Sequence, residues 1–226
     1  MIRSALIALL TTVSLGTASH VLANEDKITK GFYSMDAMGC MLLRECTKDV
    51  EEVYSLLDIS SQYDDPERYT PVTLEFNNML MSLNQIGVKV YLADERYFPS
   101  MHRGVYHTVS NNFFLNRKYM DDPGTLMMVM RHEGWHAAQD CMAGSIKNSL
   151  IAIIHNEEDV PLLWRTLAER TYPASAVPWE AEAGWAGRTE GMTMKALQSC
   201  AAGTMWTDYE LTPLTRKWLE EEGFIK

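Results

Sequence analysis

Apolar and polar positions change period along the chain, and each change marks an element. An unbroken apolar run, Ala5 to Leu10 extended by Val13 and Leu15, follows Arg3 and ends at Val21-Leu22-Ala23. A positive start, an apolar middle and a small-residue end predict a signal peptide over residues 1–23, too short and too diluted by Thr, Ser and Gly to span a bilayer. Asn24 to Lys30 is a polar lead-in. Thr47, ahead of Asp49 and Glu51-Glu52, predicts a helix start continuing through Val53, Tyr54, Leu56 and Leu57. A second helix is expected from Pro71 or Thr73 to Ile86, with Leu74, Leu80, Leu83 and Ile86 near one face and Gly87 as its stop. The period then becomes two. Val88, Val90 and Leu92 alternate with Lys89 and Tyr91, and Gly104–Val109 and Phe113–Asn116 read as two further strands joined across Ser110-Asn111-Asn112. Beyond them Leu126 to Met130 begins a long apolar helix that Asp121-Asp122-Pro123 starts. Ser145–Ile154, Glu157–Arg170 and a segment from Pro178 to about Ala202 complete a helical second half. The pattern predicts an α+β, predominantly helical domain over residues 24–226, with a small antiparallel sheet ahead of the long helix.

That long helix carries His132-Glu133-Gly134-Trp135-His136, an H-E-x-x-H pentad. Residues four apart on a helix point the same way, so both imidazoles can reach one Zn²⁺ while Glu133 stands beside them as a candidate general base. A catalytic zinc needs a third protein ligand and an open position. The segment Pro178-Trp179-Glu180-Ala181-Glu182-Ala183-Gly184-Trp185-Ala186-Gly187-Arg188 offers two carboxylates two positions apart, and only one can face the metal. Glu180 shares its face with Ala183, Gly184 and Gly187, which permit close helix approach. Glu182 shares its face with Trp179, Trp185 and Ala186. Glu180 is therefore the expected ligand, with Glu182 the alternative; the other of the two is an acceptor for a histidine N–H or a surface carboxylate. Arg188, His107 and Tyr172 are candidates for stabilising an oxyanion. His102 and His107 read as structural residues, His155 as a surface or capping residue, and Met35, Met38 and Met41 as core filling rather than soft copper ligands.

Composition narrows the setting. A formal charge of −10 with no basic stripe argues against nucleic acid as a partner. Losing residues 1–23 removes one base, Arg3, and no acid, so the exported chain is more acidic still. The acidic Glu220-Glu221-Glu222 run near the end speaks against stable membrane association after signal cleavage. Export to a secreted or periplasmic location makes two disulfides the default for Cys40, Cys46, Cys141 and Cys200. Three pairings exist; a local Cys40–Cys46 loop and a long-range Cys141–Cys200 staple are favoured.

From the strands to Arg188 the chain resembles the gluzincin branch of zincin metallopeptidases, in which H-E-x-x-H is followed by a helix carrying E-x-x-A or E-x-x-x-D. Glu180-Ala181-Glu182-Ala183 matches the first form, and Gly184 departs from the second. The resemblance implies a zincin-like fold, a zinc ion held by His132, His136 and Glu180, Glu133 as general base, and a peptide or protein substrate. In such proteins the last strand before the helix commonly forms an edge that a substrate extends; Phe113–Asn116 is the candidate for that edge, with plain core packing as the equal alternative. A zinc-bound protein without catalysis and a secreted helical binding domain without metal are the alternatives.

Overall fold

A computed structural model describes residues 34–148 and 150–226; the expected signal peptide and polar lead-in lie outside the described residues. Elements follow the order α1 (Ser34–Leu42), β1 (Val50–Glu52), α2 (Leu57–Ser60), α3 (Thr73–Gln85), β2 (Lys89–Ala93), β3 (Gly104–His107), β4 (Asn112–Asn116) and α4 (Pro123–Met142). Five helices follow: α5 (Leu162–Thr171), α6 (Val177–Gly187), α7 (Met192–Ala202), α8 (Met205–Asp208) and α9 (Pro213–Glu221). The fold is α+β and mostly helical, with 53% of the described residues in helices against one four-stranded sheet.

The α4 helix is the structural axis. Asp122 caps it by accepting from the Thr125 N–H at 2.7 Å, and Pro123 occupies the first turn, where its missing N–H costs nothing. Leu126, Met130, Trp135 and Ala138 are fully buried against neighbours on several sides. Close approach depends on glycine: a Cβ at Gly134 would lie 3.0 Å from Thr193 of α7 and 3.3 Å from Met79 of α3. The Arg131 guanidinium clasps Glu75 of α3 through two hydrogen bonds of 2.7 and 2.5 Å, and Thr193 Oγ1 donates to the Arg131 carbonyl at 2.8 Å. Three helices are thereby locked side by side.

The sheet has the order β1-β2-β4-β3. It is mixed rather than antiparallel: β2 and β4 run parallel, with Val90 opposite Phe113 and Leu92 opposite Leu115, while the outer pairs are antiparallel. Alternation assigns its two faces. Val90, Leu92, Phe113, Leu115 and Tyr106 join the main core under the helices, whereas Tyr91, Ala93 and Phe114 pack with Ala37, Met41 and Cys46 beneath α1. The expected edge is corrected by this order. All five β4 residues are buried and the strand is paired on both sides, because the β3–β4 hairpin folds β3 to the outside. The edge beside α4 is β3.

Three helical expectations also give way to tertiary contacts. Residues 50–52 form a strand on β2, where Glu51 pairs with Arg117 and Glu52 with Lys89, each at 3.0 Å. Residues 150–155 are not helical: Ala152 donates its N–H to the Gln139 carbonyl, and Ile154 and His155 donate theirs to the Glu182 carboxylate. The long helix expected from Pro178 is two, separated at Gly191, whose φ of 76° a helix cannot contain. Both favoured disulfides are present: Cys40–Cys46 closes a local loop, and Cys141–Cys200 joins the end of α4 to α7. Among the described residues no helix is long and apolar enough to cross a membrane.

Candidate metal centre

Helical spacing places His132 and His136 one turn apart on α4, their rings 5.0 Å between centroids and nearly perpendicular. Helix α6 crosses them closely because Gly187 has no side chain; a Cβ there would meet the Met128 carbonyl at 3.2 Å and His132 Cβ at 3.3 Å. Ala183 is fully buried, as close helix packing requires. Gly184, expected on the same interface, instead accommodates Trp164 of α5, 3.2 Å from where its Cβ would be. The crossing delivers Glu180, whose Oε2 lies 3.4 Å from Nε2 of His132 and 3.7 Å from Nε2 of His136.

One donor atom from each of these residues lies within 4.8 Å of the other two, a grouping that could hold a metal ion. Two observations fit that role. Glu180 Oε2 is buried and accepts no hydrogen bond, an arrangement that costs free energy unless something positive meets it. The His136 ring is also oriented for ligation. Gln139 directs its amide nitrogen to the Trp179 carbonyl (3.1 Å) and to Glu182 Oε2 (2.7 Å), so its Oε1 must accept, and it does so from His136 Nδ1 at 2.8 Å. With Nδ1 donating to Gln139, Nε2 is the ring atom that faces Glu180, where a metal would replace its proton.

Electrostatics concentrate negative potential at the same point. Burial opposes the charge on Glu180, yet the two imidazoles hold its carboxyl well below the usual carboxylate range. Burial likewise opposes charge on His136, but Glu180, Glu133 and Gln139 raise it to about 9. A site that draws a proton this strongly also draws a divalent cation, which would displace it.

The alternative carboxylate has a different task. Glu182 is fully buried and receives four N–H donors: Trp135 Nε1 (3.1 Å), Gln139 Nε2 (2.7 Å), the Ile154 amide (3.0 Å) and the His155 amide (2.6 Å). Burial pushes its pKa up to about 7 against the pull of those donors. It reaches His136 through Gln139, one residue further out than a direct histidine partner. His155 is half-buried: its ring stacks on Trp135 at 5.7 Å and meets Trp185 and Tyr209.

Glu133 is fixed from the sheet side. Its Oε2 accepts from the Tyr106 backbone N–H of β3 at 2.9 Å, leaving Oε1 for other chemistry. Strand and helix come this close because residue 104 is glycine. Tyr106 is gripped a second time, its hydroxyl donating to Asp140 Oδ2 at 2.8 Å. Of the residues considered for an oxyanion, Tyr172 comes to the cluster: burial, then the charges of Glu180 and Glu133, hold its hydroxyl well above the usual tyrosine range. His107 follows Tyr106 in the strand and so faces the other way, hydrogen-bonded to Ser110 at 2.7 Å. Arg188 caps the far end of α6 in solvent. Gln139, Tyr106 and Asp140 escaped the sequence reading. The spacing of Gln139, three residues past His136 on the same helix, was the available signal for one of them.

Comparison of the chain with protein-family models, with curated proteins and with solved structures finds no match in any of the three.

Proposed function

We propose that this protein is an exported zinc-dependent peptidase that hydrolyses peptide bonds. The observation that carries the reading is the convergence of His132, His136 and the unpartnered Glu180 Oε2 beside a Glu133 held by the edge strand. Two neutral imidazoles and one carboxylate are a donor set typical of catalytic zinc. A zinc ion there would supply Lewis acidity, polarising a carbonyl and making water acidic enough to attack near neutral pH.

The rest falls to the chain's own residues. Tyr106 holds one Glu133 oxygen, so the other is oriented to take a proton from the attacking water and hand it to the leaving amine. Tyr172, kept protonated by burial and then by the charges of Glu180 and Glu133, would donate to the oxyanion. The outer edge of β3 offers backbone groups for an extended peptide, a role that moves here from β4. The gluzincin-like pattern of His132-Glu133-x-x-His136 with Glu180-x-x-Ala183 supports the same reading. Two disulfides suit an oxidising compartment and support export.

Metal analysis of the oxidised protein tests the centre. One zinc per chain is expected, lost in Glu180→Ala and retained with roughly 10- to 100-fold weaker affinity in Glu182→Gln. Glu133→Gln should keep the zinc and lower peptide hydrolysis on the order of 10²- to 10⁴-fold. A parent protein that takes up no zinc would overturn the centre, and a Glu133→Gln variant with full activity would overturn the mechanism.

A further inference from the structure

A cavity of about 370 Å³, within the size range of small-ligand pockets, is lined in part by sequence neighbours of the candidate centre. Two of its walls belong to segments already at the site. Trp179 precedes Glu180 in α6, and its carbonyl accepts from the Gln139 amide that orients His136. Thr108 stands two positions past Tyr106, where the chain leaves the edge strand. An extended peptide lying along β3 would carry a side chain to this cavity as it passes His107.

The lining is chemically divided. Trp179 and Trp218 meet edge to face, 6.0 Å between centroids at 66°, and Leu150 and Ile151 extend the apolar wall. Glu221 and Glu222, both exposed, supply the charge of the lining, and among the described residues no basic one lines the cavity. Lys217 reaches Glu221 only at 3.8 Å, with the two side chains 67% and 58% exposed, a pair of little strength. Glu222 forms no ion pair among the described residues. An apolar side chain would use the wall and gain nothing from the carboxylates, and an acidic one would be repelled. A long apolar stem ending in a cation satisfies both halves, lying along the indole rings with its head at the carboxylates.

We infer that this cavity is a specificity subsite for an arginine or lysine side chain of the peptide. That a substrate peptide supplies this side chain rests on the peptidase reading; the cation preference does not. Hexapeptides differing only in one central residue, arginine or its neutral isostere citrulline, would be titrated against zinc-loaded Glu133→Gln protein and followed by tryptophan fluorescence. The arginine peptide should bind about tenfold tighter, with the preference shrinking to about twofold or less in Glu221→Gln/Glu222→Gln. Both carboxylates are exposed, so that variant should fold, and circular dichroism would check it. Equal binding of the two peptides, no saturable binding of the arginine peptide, or a preference indifferent to the double substitution would overturn the subsite. Cleavage of both peptides by the parent protein without preference would overturn it while leaving the peptidase standing. Preferential binding without cleavage by the parent would leave the subsite standing and overturn the peptidase.

Discussion

Two glutamates two positions apart in one helix show how far surroundings decide a residue's role. Glu180 faces imidazole nitrogens and has a buried oxygen with no hydrogen bond, so it is left for a cation. Glu182 faces four N–H donors, so it is a fastening point for α4, α6 and residues 154–155. Asp140 is a third buried carboxyl, with one oxygen on the Tyr106 hydroxyl and the other without a partner. Burial holds its pKa up at about 7, against an ordinary 3.8. Between those values the unfolded chain has released this proton and the folded protein keeps it. Folding then binds a proton, and stability contributed by this group falls as pH rises across that window, with a slope of at most about 1.4 kcal/mol per pH unit. Urea unfolding between pH 4.5 and 7 should show a flatter pH dependence in Asp140→Asn than in the parent; identical slopes would place the proton elsewhere.

Among the elements, α4 was the most legible because its signals are local: Asp122, Pro123, an apolar run and a ligand pair at helical spacing all lie within it. The strands were legible as strands, through alternation, but their order was not. Phe113-Phe114-Leu115 is a continuous apolar run, as a strand covered on both faces requires, but covered faces do not say which strand lies outside, and only pairing with β2 distinguishes β4 from β3. The contact between β3 and α4 is equally non-local. A Cβ at Gly104 would lie 2.5 Å from Val129 Cγ1, 3.2 Å from Glu133 Cγ and 3.3 Å from the Phe114 carbonyl. Gly104→Ala must therefore push the strand off the helix and stretch the Tyr106–Glu133 hydrogen bond. The expected stability loss is about 1–3 kcal/mol. Peptide hydrolysis measured well below the unfolding midpoint should fall at least about tenfold. Parent-like hydrolysis in this variant would show that the strand need not hold the base.

At the scale of the molecule, α4 is fixed along its whole length: by the Asp122 cap at its start, by Arg131–Glu75 and Thr193 in the middle, and by the Cys141–Cys200 bridge at its end. That bridge closes a loop of sequence separation 59, whereas Cys40–Cys46 closes one of 6. Chain entropy then assigns about 4 kcal/mol to the first and about 2 kcal/mol to the second. Cys141→Ser/Cys200→Ser should lose correspondingly more stability in urea than Cys40→Ser/Cys46→Ser. The reverse order would mean that native contacts around α1, rather than unfolded-state entropy, set the effect.

The sequence by itself determined the α+β class, the long helix and the two histidines at helical spacing, and it favoured Glu180 over Glu182 and one of three cysteine pairings without deciding either. Each rests on short-range periodicity, on small residues marking one helix face, or on cysteine counting. Only the tertiary structure decided that 50–52 is a strand and that 150–155 is not helical. It likewise decided that Pro178–Ala202 breaks in two, that β3 is the edge, and that Gln139, Tyr106 and Asp140 support the site. The reason is common to them all. These outcomes turn on which backbone and side-chain groups find partners far along the chain, and local propensity is outweighed when a buried N–H or carboxylate must be satisfied.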